Sequence, residues 1–296
     1  MTGALLIAVF FSTGCSLERM AVNALADALS AHGSSFASDD DIELVGAATP
    51  FGLKTLESLL ERAPDHQGLL LAGASGFTQY AYVYVQEPME RVLETDFEMA
   101  EEMGERASRL YRRARGYGLR GLRIEEPGID AALSADGPLS GFDRTAVPLL
   151  FWTAAAWGAE VGLNADDPFL VGEFPAVAKL IERAYALEPA WNSGAIHAFL
   201  IGFSVSRPDR EPDAFDQARW HFDQSIALSD GGLAAPYVSL AENVSVQMEN
   251  KDEFVGLLEQ ALAIDLDVRP NDRLANRIAQ RRARWLLSRI DEYFSE

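Results

Sequence analysis

The chain has one cysteine, three lysines and four histidines in 296 residues, and its N-terminal apolar run, Ala4–Phe11, is too short to cross a membrane as a helix. A lone Cys15 removes any internal disulfide framework and any Cys-Cys or Cys-His cluster for structural zinc. His32, His66, His197 and His221 lack ligand-like spacing, and HExxH, P-loop, GxGxxG and GxSxG patterns are all missing. No recognisable route to catalysis, metal binding or a cofactor is therefore present, and the chain is expected not to be an enzyme. Positive charge is also scarce. Twenty-five Lys and Arg face 45 Asp and Glu, a net charge of −20, which excludes nucleic acid as the main partner because such binding depends on a basic surface. What is abundant is hydrophobic side chain, 48% of the residues, enough for a sizeable folded core.

At the N-terminus, the apolar run Ala4–Phe11 is followed by Ser12-Thr13-Gly14 and then Cys15. A short greasy segment before small residues has the form of an export signal, since the peptidase needs small side chains at its cut. Ser12-Thr13-Gly14-Cys15 resembles a bacterial lipobox, although no Lys or Arg precedes the run and Ser12 stands where Leu is usual. The expectation is a signal peptide over 1–14 and a mature chain that starts at an acylated Cys15. Its three acyl chains exceed the two membrane signals that stable anchoring needs.

From Leu17 onward, apolar residues recur at three and four, and Gly or Pro punctuates between segments, predicting an all-helical chain. Phe77–Val85 is ambiguous: Tyr80, Tyr82 and Tyr84 alternate as in a strand, but Phe77, Tyr80, Ala81 and Tyr84 share a helix face and no other strand is available. We read it as helix. Ala184-Tyr185-Ala186-Leu187-Glu188-Pro189 has the form of a tetratricopeptide-type second helix ending in its turn. Ser225–Asp230 and Ala261–Leu266 repeat it at intervals of 41 and 36 residues, near the standard repeat of about 34. Weaker copies lie at Ala114–Leu119 and Leu59–Pro64. These predict a tetratricopeptide-like superhelix of helical hairpins forming a single domain over 15–296, with an irregular crossover near 124–147 long enough to be a lid or cavity wall.

Aromatic and amide side chains on successive first helices would line the concave face of such a superhelix. The candidate ligand or partner residues are Trp152, Trp157, Trp191, Asn192, His197, Tyr237, Glu242 and Asn243, each of which core packing would also explain. Arginines fall into two groups, Arg106–Arg123 and Arg269–Arg289. The simpler reading has them neutralising acidic neighbours; the sharper one makes Arg281 and Arg282 an electrostatic docking patch for an acidic partner or anionic ligand.

Longer runs carry a family resemblance. Thr49-Pro50-Phe51-Gly52-Leu53-Lys54, Gly76-Phe77-Thr78-Gln79-Tyr80-Ala81-Tyr82, Glu188-Pro189-Ala190-Trp191-Asn192-Ser193-Gly194-Ala195-Ile196-His197, Ala235-Pro236-Tyr237-Val238-Ser239-Leu240-Ala241-Glu242-Asn243 and Ala279-Gln280-Arg281-Arg282-Ala283-Arg284-Trp285 resemble the TRAP transporter T-component lipoproteins. These accompany tripartite ATP-independent periplasmic transporters, and the resemblance runs from Cys15 to the C-terminus. It implies a non-enzymatic periplasmic lipoprotein that binds the solute-binding P subunit and passes a small organic or hydrophobic ligand to it through an internal cavity. It also implies a possible homotrimer. Ser16 after the acylated cysteine implies the outer membrane, facing the periplasm. The alternative is a scaffold lipoprotein for protein contacts with no small ligand.

Overall fold

The structure, a computed structural model, describes residues 34–207 and 210–294, so Cys15, the apolar run before it and His32 lie outside the described residues. Every regular element among them is helical. The helices that build the fold are α1 (Ile42–Arg62), α2 (Gln67–Ala81), α3 (Phe97–Glu125), α4 (Val147–Leu163), α5 (Phe174–Leu187), α6 (Trp191–Ser206), α7 (Ala214–Ser229), the short α8 (Ala235–Leu240), α9 (Lys251–Ala263) and α10 (Arg273–Ser288).

Their starts are set by side-chain caps. Asp41, Asp96 and Asn250 accept from the backbone N–H of Leu44, Met99 and Glu253, and His66 Nδ1 accepts from Leu69 N–H. Each such cap satisfies an otherwise orphaned donor and is worth about 1 kcal/mol. The repeat-like copies at Leu59–Pro64, Ala184–Pro189, Ser225–Asp230 and Ala261–Leu266 do fall at the ends of α1, α5, α7 and α9. The copy at Ala114 does not, because α3 runs on to Glu125. Gly118 continues it: a Cβ there would collide with Thr153 on α4, so the glycine is a point of close helix approach and not a stop.

Phe77–Val85 is helical, as read, but α2 passes into a π-helical turn at Tyr82–Gln86 before Glu87–Val92 resumes the α-helix. Burial alternates through it: Ala81, Val83, Val85 and Glu87 are buried while Tyr82, Tyr84 and Gln86 are not. The wider π-turn reproduces the strand-like alternation of the sequence on a helical backbone. A second π-turn, Ala241–Ser245, extends α8.

Consecutive helices pack on one another through the chain. One core surrounds α4, whose Leu150 and Ala154 are sealed against Leu180 and Ile181 of α5 and Ile196 of α6. A second gathers Ile201, Val244, Phe254, Leu258 and Leu286. Burying a side chain of the size of Phe254 contributes about 1.5–3 kcal/mol. Arg144–Leu163 is long and apolar enough to cross a membrane, yet 61% of it is buried inside the fold, as befits a core helix. The crossover after α3 is pinned: Ile129, Leu133, Leu139 and Phe142 enter the first core, and Lys179 of α5 donates to the carbonyls of Ala132 and Leu133.

A stack of hairpins would leave its ends apart. Here α10 returns to the start of the chain, packing on Ser34–Ala37 and α1, and Arg273 donates to the carbonyl of Ser38 at 3.0 Å. The helices therefore form a closed circuit, and what lies at the closure and along its inner walls defines the candidate site.

Candidate functional site

The closure is built from carboxylates at the end of α2 and arginines on α10. Glu87 and Glu90, three residues apart, share one face of the α2 extension, and Glu94 follows in the turn after it. Opposite them, Arg281 donates to Glu87 at 3.0 Å and to the carbonyl of Val83 at 3.3 Å. Arg282 pairs with Glu90 and, through Nε at 3.0 Å, with Glu242 on the second π-turn, while Arg289 pairs with Glu94. The Arg282 and Arg289 guanidiniums also lie over the Trp285 ring, 4.4 and 5.0 Å from its centroid. The two π-turns thus face one another across a cationic helix.

The electrostatics are those of charges held away from water. Glu87 is fully buried, and burial pushes its carboxyl above the usual range although Arg281, Arg282 and Arg91 oppose this. Burial raises Glu242 in the same way, against Arg282. Burial works against the Arg282 charge too, but Glu242 and Glu90 outweigh it and keep the guanidinium firmly protonated. Tyr82 is 39% exposed, yet burial and the Glu242 charge drive its phenol far above the ordinary value.

A cleft of about 530 Å³ opens between α5, α6 and α7. Tyr185, Leu200, Phe203 and Trp220 supply its apolar wall, and His221 lies at its base. His221 Nδ1 is 2.9 Å from Nδ1 of the buried His197, whose ring is 5.4 Å from those of both Tyr185 and Trp220. Burial lowers both histidines, and the His197 neighbour adds to this at His221, which is pushed down to about 4. At neutral pH the pair is uncharged, one ring donating its Nδ1–H to the other.

The start of α6 that carries His197 is irregular. Asn192, Ser193 and Gly194 have φ of 48, 54 and 88°, three consecutive left-handed residues. Gly194 permits α7 to come close, since a Cβ there would meet Ser225 Cα and Leu228 Cβ at 3.2 Å. Arg269 donates to Ser193 Oγ at 3.1 Å and braces the turn. Backbone of this kind costs about 1–3 kcal/mol per non-glycine residue and persists only where its surroundings enforce it.

The sequence candidates are distributed over several environments. Trp191 packs on Phe151, as does Trp152, and Trp157 is buried with its Nε1–H donating to Glu173 at 2.9 Å under the guanidinium of Arg115. Tyr237 meets Phe222 edge-on, and Asn243 donates to the carbonyl of Ser239. His197 backs the cleft, Glu242 belongs to the closure, and Asn192 belongs to the left-handed turn. Arg281 and Arg282 are both committed to intramolecular carboxylates. Tyr82, Glu87, Glu90, Trp220 and the pairing of His197 with His221 were not singled out from sequence. The spacing of Glu87, Glu90 and Glu94 was a usable signal for the first group; nothing local signals a contact between residues 24 apart on two helices. No three His, Asp or Glu side chains among the described residues converge as metal ligands.

Comparison with known proteins gives two results. The family model described as TRAP transporter T-component matches residues 38–294. A protein of Treponema pallidum (strain Nichols), described only as uncharacterized, is 29% identical over 301 residues, covering 95% of this chain and 93% of its own length.

Proposed function

Because the chain belongs to the TRAP transporter T-component family, we propose that it is a non-enzymatic accessory of a tripartite ATP-independent periplasmic transporter. In this reading it docks on the solute-binding P subunit and handles a small organic ligand for it. The observation that carries the proposal is the family match over residues 38–294, on a chain whose helices close into a circuit with α10 packed on Ser34–Ala37 and α1. Acylated Cys15 would tether the mature chain to the inner leaflet of the outer membrane, within reach of periplasmic P subunits. A homotrimer is compatible with this role.

The test is pull-down from envelope extracts followed by native mass spectrometry of the purified complex. A stoichiometric binding-protein partner together with a retained small molecule supports the proposal. A partner with no small molecule under any condition favours a scaffold role, and the absence of any binding-protein partner overturns the transporter association. Globomycin, which blocks lipoprotein signal processing, checks the anchor: the unprocessed chain should accumulate, and Cys15→Ser should release the protein from membranes.

A further inference from the structure

The cleft between α5, α6 and α7 has a composition that the transporter reading does not use. Its wall is aromatic, with the Trp220 ring 47% exposed despite its size. Its rim is acidic: Glu182 approaches from α5, Asp213 and Asp216 from the start of α7. Asp213 accepts from Gln217 at 3.0 Å and Asp216 feels the charge of Arg219 one turn on, whereas Glu182 makes no hydrogen bond or ion pair among the described residues. The histidine pair at the base is neutral at pH 7, so among the described lining residues Arg207 is the one positive charge.

The placement of Arg207 is informative. Its guanidinium lies over the face of Phe203, 5.6 Å from the ring centroid, so this wall already receives a cation from the chain itself. An aromatic face attracts cations through its quadrupole, and three carboxylates around one arginine leave a net negative rim. A volume of about 530 Å³ is that of a small-molecule site and is too small for a folded partner.

We propose that this cleft binds a small organic cation, an ammonium or guanidinium compound with an apolar body, seated against Trp220, Tyr185 and Phe203 with its charge toward Glu182 and Asp216. The aromatic wall supplies apolar contact and cation–π attraction, and the carboxylates supply specificity for positive charge over negative. The proposal stands on the cleft alone and holds whether or not the P subunit is the partner.

Isothermal titration of the mature chain with benzyltrimethylammonium, and with benzoate as its anionic counterpart, tests it. The cation is expected to bind at millimolar or lower concentration, at least tenfold tighter than benzoate. Trp220→Ala, and Glu182→Gln combined with Asp216→Asn, should each weaken it at least fivefold. All three positions are exposed, so these variants keep the fold, which far-UV circular dichroism verifies. Three results would overturn the proposal: no cation binding at millimolar concentration, benzoate binding as tightly as the cation, or cation affinity changed less than fivefold by the variants.

Discussion

Two helices of this protein, α3 and α10, are rich in arginine and poor in lysine, and they use that charge differently. On α3, Arg113 pairs with Glu57 of α1, Arg112 and Arg115 with the buried Glu160 of α4, and Arg123 with Asp130 of the crossover. Each partner sits on an element that α3 already packs against, so these pairs fasten contacts that apolar side chains also hold. On α10 and its C-terminal cap, Arg281, Arg282 and Arg289 reach Glu87, Glu90 and Glu94, about 195 residues earlier in the chain. The buried apolar clusters containing α10 include no residue of α1 or α2. Identical composition therefore staples neighbours in one helix and closes the circuit in the other, because partner location and not arginine content decides the consequence.

The comparison breaks most visibly at Arg282. Arg282→Ala leaves Glu242 desolvated without its cation and removes the stacking on Trp285. Removing one partner of a buried pair costs about 3–5 kcal/mol, and denaturant unfolding should show a loss of that size. Spin labels on exposed Ser58 of α1 and Gln260 of α9, in a chain with Cys15 replaced by Ser, should report a longer and broader distance distribution. Glu160→Gln on the α3 side keeps an acceptor for Arg112, which reaches solvent, while Arg115 retains Glu173. Its expected cost is about 1–2 kcal/mol, with the label distance unchanged. If the two variants altered that distance equally, closure would not depend on α10.

The sequence was informative about elements and much less so about their meeting. Helix ends at Leu187, Ser229 and Ala263 were legible from small-apolar repeats because capping and turn chemistry are local. Tyr80, Tyr82 and Tyr84 announced a two-residue burial period, but only the backbone shows that a π-turn produces it. Trp157 and Trp191 were visible as aromatics on small-residue helices; that Glu173 takes the Trp157 N–H and Phe151 takes the Trp191 ring depends on neighbours fixed by tertiary packing. The clasp was the least accessible, since its partners are separated by most of the chain and only their internal spacing on each helix is local.

Acid should separate the cleft from the closure by the sign of the response. His221 is held below its ordinary value in the fold, so its contribution to stability is complete above about pH 6.5 and is lost as pH falls toward about 4. Glu87 and Glu242 are shifted upward, so the folded chain takes up their protons more readily than the unfolded chain does, and falling pH moves their contribution in the stabilising direction. In denaturant midpoints measured from pH 7 to 4, His221→Gln should flatten the loss relative to the parent. Glu87→Gln, which removes the opposing contribution, should steepen it. Parallel curves for the two variants would show that the histidine pair and the clasp do not titrate as assigned.

The smallest effect belongs to an arginine of α3 that faces only water. Arg109 pairs with Glu105 one turn earlier, and both side chains are more than 60% exposed. The acid lies N-terminal to the base, the favourable order on a helix, but solvent and salt screen the attraction. Arg109→Ala should change stability by no more than about 0.5 kcal/mol, with any loss disappearing in 0.5 M NaCl. Arg282→Ala should keep most of its cost at the same salt concentration, because Arg282 is 10% exposed and its partners 23%, so salt screens the pairs far less than at Arg109. A salt-insensitive loss at Arg109 comparable with that at Arg282 would mean that arginine content on these helices matters in itself, and would remove the distinction between a charge that decorates a surface and one that holds the ends of the chain together.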